Sequence, residues 1–190
     1  MASVMLDRSV WDKMYKCLEL GRCVQPFTKD DFNKLDLWLK KESIRVILFS
    51  IEEIESYLNR GTSPKMEKER RWLESKKKEY DCELCKSTLY TNDPNLLSNI
   101  RTVVSNKGDI AISPDERESI TENYHISTRK HRDVNILLIA IKNDVDIFIH
   151  ENPADFDRNT QIQHFIADMG IGHKILNLSG AISRIKVAAI

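Results

Sequence analysis

His131-Arg132-Asp133-Val134-Asn135-Ile136-Leu137-Leu138-Ile139-Ala140-Ile141-Lys142-Asn143-Asp144-Val145-Asp146-Ile147-Phe148-Ile149-His150-Glu151-Asn152-Pro153-Ala154-Asp155-Phe156 is the stretch on which the fold turns. Its first half reads as an apolar helix that opens on an acidic residue. Its second half reads as a short strand that runs directly into an acidic loop. A strand apolar on both faces suits a buried parallel sheet. Open α/β sheets hold their ligands at the carboxyl ends of strands and the amino ends of the following helices. The acids of this stretch stand at those two places.

Working outward, Ser3 to Leu6 reads as a first strand with Asp7 at its carboxyl end. Val10, Trp11, Met14 and Leu18 then recur at helical spacing up to Gly21. Thr28 is placed to cap a second helix, with Asp30 and Asp31 in its first turn and Phe32, Leu35 and Leu39 on its buried side. Ile44 to Phe49 is β-branched and apolar, a second strand. Ser50 starts a helix over 51–59, which Gly61 and Pro64 end. Residues 94–104 read as a further helix, 109–113 as a third strand, and Pro114 as the start of another helix. After the opening stretch come a helix over 159–169, a fifth strand over 173–176 and a last helix capped by Ser179. Strands alternating with helices predict one α/β domain over 1–190, a three-layer α/β/α arrangement around a mostly parallel sheet.

Residues 65–79 differ from the rest. Lys65, Lys68, Arg70, Arg71, Lys76, Lys77 and Lys78 outnumber Glu67, Glu69, Glu74 and Glu79, a net charge of +3 (seven minus four). With Trp72 and Leu73 as its main large apolar groups, this reads as a mostly solvated helix. It belongs to a charged helical insertion over 62–90 and is the best placed segment for touching nucleic acid.

The 190 residues are 41% hydrophobic and 31% charged, enough to bury a core. Equal numbers of basic and acidic residues exclude a globally basic nucleic-acid binder, though not a local patch. No apolar run of about 18 residues signals a membrane span. The first residues lack the pattern of a signal peptide, so the expected compartment is the cytoplasm. Four cysteines in a chain this long are expected to be thiols there. Cys82 and Cys85 have zinc-knuckle spacing, and Cys17 with Cys23 could complete four ligands, although five residues and not two separate that second pair.

Three acids occupy equivalent positions: Asp7 after the first strand, Glu53 (or Glu52) early in the helix after the second, and Asp133 at the start of the helix before the fourth. A fourth group comes from the loop after that strand, where Glu151, Asn152, Asp155 and Asp157 all stand. Carboxylates gathered at one edge repel unless a cation lies between them. Oxygen ligands favour Mg²⁺ or Mn²⁺, whose chemistry with a phosphodiester is hydrolysis.

The order of these elements resembles the PIN-domain ribonucleases, a family that includes many toxins of toxin–antitoxin pairs. The resemblance rests on Val4-Met5-Leu6-Asp7-Arg8-Ser9-Val10, on Ser50-Ile51-Glu52-Glu53-Ile54, on His131-Arg132-Asp133 through Ala140, and on Phe148 through Phe156. It implies a metal-dependent endoribonuclease in which Asp7, Glu53, Asp133 and Asp155 bind Mg²⁺ or Mn²⁺. Ser9, His131 and Arg132 would then contact substrate phosphate. RNA is the implied partner, with an antitoxin protein and a second copy of the chain as further candidates.

Two rivals stand beside it. A catalytically silent PIN-like module would use the same acids as helix caps and its surface for a protein partner. Arg158 to His164 resembles the Arg–polar–His motif of HEPN ribonucleases, but those are all-helical. A dinucleotide site is not expected, since Asp7-Arg8-Ser9 stands where a glycine-rich turn would be.

Overall fold

The computed structural model describes residues 1–48, 64–84, 120–127 and 130–188. Strand β1 (Ala2–Leu6) leads into helix α1 (Arg8–Leu18). Helix α2 (Lys29–Leu39) and strand β2 (Ile44–Leu48) follow, then helix α3 (Pro64–Glu79) and the two-residue strand β3 (Glu83–Leu84). Helix α4 (His131–Lys142) precedes strand β4 (Ile147–His150), the short helix α5 (Pro153–Phe156) and helix α6 (Thr160–Asp168). Strand β5 (Ile175–Asn177) and helix α7 (Leu178–Ala188) close the described chain.

The five strands form one sheet in the order β3-β2-β1-β4-β5, every pair parallel. Side chains alternate across a strand, and β1 uses both faces. Val4 and Leu6 enter a core with α1, α2, α3 and α7, while Met5 enters one with α4 and α6. Strand β4 does the same, Ile149 on the first side and Phe148 on the second. The molecule is therefore the three-layer α/β/α arrangement that the sequence pattern predicts, with an all-parallel sheet.

Local chemistry explains where the elements begin and stop. Thr28 and Asp31 form a reciprocal capping box at the start of α2. Helix α6 ends at Gly170, whose φ of +66° is costly for any residue with a Cβ. There Ile171 N–H bonds the Ile166 carbonyl at 3.2 Å and Gly170 N–H the Ala167 carbonyl at 3.0 Å, a Schellman closure. At the amino edge Ser3 clips β1 to the chain entering β4. Its N–H donates to Asp146 Oδ2 at 2.7 Å, and Asp146 N–H donates to Ser3 Oγ at 2.9 Å. The bond from Ser3 N–H holds the Asp146 carboxyl below the usual range.

Several expectations need correcting. Helix α3 is solvated over most of its charged surface, as expected, but it packs on the molecule through its apolar side. Trp72, Leu73 and the following Tyr80 are buried in the core with Trp11 and Tyr15, and the chain continues into β3. The last helix begins at Leu178 and is capped by Asn177, whose Oδ1 accepts from Gly180 N–H at 2.8 Å, not by Ser179. Cys17 and Cys23 are a disulfide, not thiols. The turn through Gly21, with φ +63°, folds the chain back at the end of α1 so that the two Cα atoms lie 4.2 Å apart. This removes both from any zinc set. Cys82 is a free, half-buried thiol whose pKa burial pushes up to about 12, and Cys85 lies outside the described residues. So do the helices expected over 51–59 and 94–104, the strand over 109–113 and the helix start at Pro114. Among the described residues no helix is long and apolar enough to cross a membrane.

Candidate functional site

From β1 the chain proceeds outward through β2 to β3 on one side, and later elements fill the other side as β4 and β5. The strand order thus reverses between β1 and β4. Connections leave such a point in opposite directions, which opens a crevice at the carboxyl ends of the two strands. Asp7 follows β1 there, and His150-Glu151 ends β4 beside it.

Asp7 is only 8% exposed. It is the N-cap of α1: Oδ2 accepts from Ser9 N–H at 3.1 Å and from the Ser9 hydroxyl. Both bonds end on Oδ2, so Oδ1 carries none among the described residues. Ser9 Oγ in turn accepts from Glu151 N–H at 3.1 Å, and Asp7 N–H donates to the Ile149 carbonyl at 2.8 Å. The start of α1 is thereby stitched to the end of β4. Lys13, one helical turn beyond Ser9, places Nζ 2.8 Å from Glu151 Oε1.

A second group lies between α4 and α5. Asp133, in the first turn of α4, faces the positive end of the helix dipole. Its Oδ2 is 4.0 Å from Lys130 Nζ, and the same ammonium pairs with Asp155 Oδ1. Asp155 Oδ2 accepts from the Asn152 amide. Two carboxylates from different elements converge on one cation, the charge arrangement that oxygen ligands of a hard divalent ion also need.

His150 is fully buried, packed against the rings of Phe148 at 6.2 Å and Phe156 at 4.8 Å. Nδ1 accepts from Asn152 N–H at 3.3 Å, which leaves the proton of a neutral ring on Nε2. Nε2 lies 3.3 Å from Asp157 Oδ1 but is not directed for a hydrogen bond. Burial lowers the pKa of His150, against the opposing pull of Asp157, Asp7 and Glu151.

Of the residues expected from sequence, Asp133 and Asp155 are thus brought to a common partner. Asp7 stands at the crevice with Ser9. Glu53 lies outside the described residues, as do the side chains of His131 and Arg132. Among the described residues no three His, Cys, Asp or Glu groups cluster as a metal site. Sequence reasoning missed Lys13 and Lys130 as the counter-charges, and the burial of His150. Helical spacing from Ser9 to Lys13 and from Lys130 to Asp133, and the alternation of His150 with Ile149, were the available signals.

Away from the crevice, Arg70, Arg71, Glu74, Ser75 and Lys78 line an open cavity of about 530 Å³ on the outer face of α3. Glu67 pairs with Arg71 at 2.9 Å and with Arg70 at 3.1 Å. No family model, curated protein or solved structure matches the chain.

Proposed function

We propose that the crevice is the active site of a metal-dependent endoribonuclease that hydrolyses RNA phosphodiester bonds with Mg²⁺ or Mn²⁺. The observation that carries this reading is Asp7 Oδ1. It is an oxygen without a bond among the described residues, on a nearly buried carboxylate, at the point where the strand order reverses. Asp7, Asp133, Asp155 and Glu53 are the proposed ligands, and the first three would have to draw together around the ion, since they form no three-group cluster among the described residues. A bound ion supplies a nucleophilic water at neutral pH and charge neutralisation on the phosphate. The chain's own residues do the positioning. Ser9 fixes the Asp7 carboxylate, Lys13 draws Glu151 toward α1, and the basic side of the α3 cavity offers charge to an RNA backbone. A role as the toxin of a toxin–antitoxin pair, with an antitoxin protein covering the crevice, belongs to the same proposal. A homodimer belongs to it as well, and so does a cytoplasmic location, where the Cys17–Cys23 disulfide would have to withstand reduction.

The test is RNA cleavage by the purified chain with Mn²⁺, Mg²⁺ or EDTA, beside Asp7→Asn and Asp133→Asn. Asparagine caps a helix as well as aspartate does, so Asp7→Asn leaves α1 in place. The expected result is cleavage that needs metal and is lost in both folded variants. Cleavage that persists in EDTA and disappears in His164→Ala overturns it in favour of metal-free chemistry.

One observation favours a second reading, a silent binding module. The ammonium groups of Lys130 and Lys13 already pair with Asp133, Asp155 and Glu151. No cleavage, together with no rise in melting temperature on adding Mn²⁺, selects this module, because a true site gains stability by mass action.

A further inference from the structure

On the opposite side of β4 from His150, a cavity of about 130 Å³ opens between the sheet, α2 and α7. Ile149, Ala181 and Ile185 are buried and form its floor, while Trp38, Ile147 and Leu176 are half-buried around it. Its one charged lining group is Arg184, which is exposed and has no ion pair or hydrogen bond among the described residues. Two features are unusual together. A gap between apolar side chains forfeits dispersion contacts that closer packing would supply. An arginine also carries five donors suited to a planar carboxylate.

We propose that this cavity is a binding site for a small carboxylate with a compact apolar body, such as an aryl-acetic acid. An engineered apolar cavity of about 150 Å³ takes benzene, so a body of about six carbon atoms fits. The floor offers that body only hydrocarbon. The guanidinium of Arg184 at the rim would take the carboxylate in a charge-assisted, bidentate pair. The site does not depend on the crevice chemistry, because it uses none of the same side chains.

The experiment is a titration of the full chain with phenylacetate, followed by methyl NMR of Ile147, Leu176 and Ala181, with phenylacetamide as the neutral control. Saturable shifts at these methyls are expected, with phenylacetate binding more tightly than phenylacetamide. Arg184→Gln should weaken phenylacetate at least about tenfold, the loss that corresponds to one charge-assisted hydrogen bond. Ala181→Leu fills the cavity and should abolish binding while the spectrum stays folded, and Ala181→Val serves if leucine disturbs α7. Absence of saturable shifts overturns the proposal, as does equal binding of the amide or binding that survives both variants. A cavity-filled variant that melts higher while wild type binds neither compound marks a packing gap and also overturns it.

Discussion

Two clusters of lysines and carboxylates sit on this fold, and they differ in what is left over. In the first, Asp36 of α2 receives Lys40 at 2.6 Å on Oδ2, and Lys76 at 2.5 Å together with the Tyr80 hydroxyl on Oδ1. Glu79 closes the ring, 2.5 Å from Lys40 and 2.7 Å from Lys76. Both oxygens of Asp36 are taken, and the cluster fastens α3 to α2. In the second the groups are dispersed: Asp7, at the carboxyl edge of β1 and β4, keeps one oxygen without a bond among the described residues, and Lys130 is shared between Asp133 and Asp155 in the separate group between α4 and α5. Saturated charge holds elements together, whereas unsaturated charge at a reversal of strand order is able to bind something else. Residue types do not separate a lock from a site; satisfaction and location do.

The largest effect that sharpens this contrast is on activity. Asp7→Asn and Asp133→Asn should each lower metal-dependent cleavage by about a hundredfold or more, the scale of losing one electrostatic stabiliser, with little change in melting temperature. Asp36→Ala should do the reverse. Leaving Lys76 and Tyr80 without their acceptor should cost about 2–3 kcal/mol in urea unfolding, with cleavage by the folded fraction unchanged. Loss of cleavage in Asp36→Ala at full folding would erase the distinction.

Acid titration should separate the clusters next. Burial raises the Asp36 pKa, but hydrogen bonds from Lys40, Lys76 and Tyr80 outweigh it and hold the carboxyl below its usual value. The unfolded chain then binds more protons, so this contribution is present above about pH 4 and lost as pH falls through the folded pKa. His150 is lowered by burial, so its contribution is present above about pH 6.5 and lost as pH falls from there toward its folded pKa. Unfolding free energies measured from pH 8 to 3 should show both steps. The upper step should vanish in His150→Phe, and the lower should shrink in Asp36→Asn, with Asp146 and Glu79 keeping their share of it. The smallest effect belongs to Lys13→Met, expected to cost less than about 1 kcal/mol in thermal unfolding. A loss of about 3 kcal/mol there would class the Lys13–Glu151 pair as a lock.

Much of the architecture is legible along the chain because its signals are local. The runs Ser3 to Leu6 and Ile147 to His150, the Thr28 cap and the helical spacing of Phe32, Leu35 and Leu39 each identify an element from neighbours a few residues away. Asp7 at a strand end and Asp133 in a first turn are equally local, and the structure bears out both placements. Strand β3 had no such signal: two residues, Glu83 and Leu84, show neither a run nor an alternation. The depth of α3 was hidden for the opposite reason, since its seven basic residues mask a buried side carried by Trp72 and Leu73.

By itself the sequence determined the parallel α/β class, the positions of most described helices and strands, and which acids lie at element ends. Those follow from backbone periodicity and capping, which act over a few residues. Tertiary structure alone decided that β1 lies between β2 and β4, that Lys13 meets Glu151 and that Lys130 joins Asp133 to Asp155. It alone decided that Cys17 pairs with Cys23 and that His150 is buried between two phenylalanine rings. Each of these depends on which distant surfaces pack together, and a parallel sheet joins segments that no local rule relates.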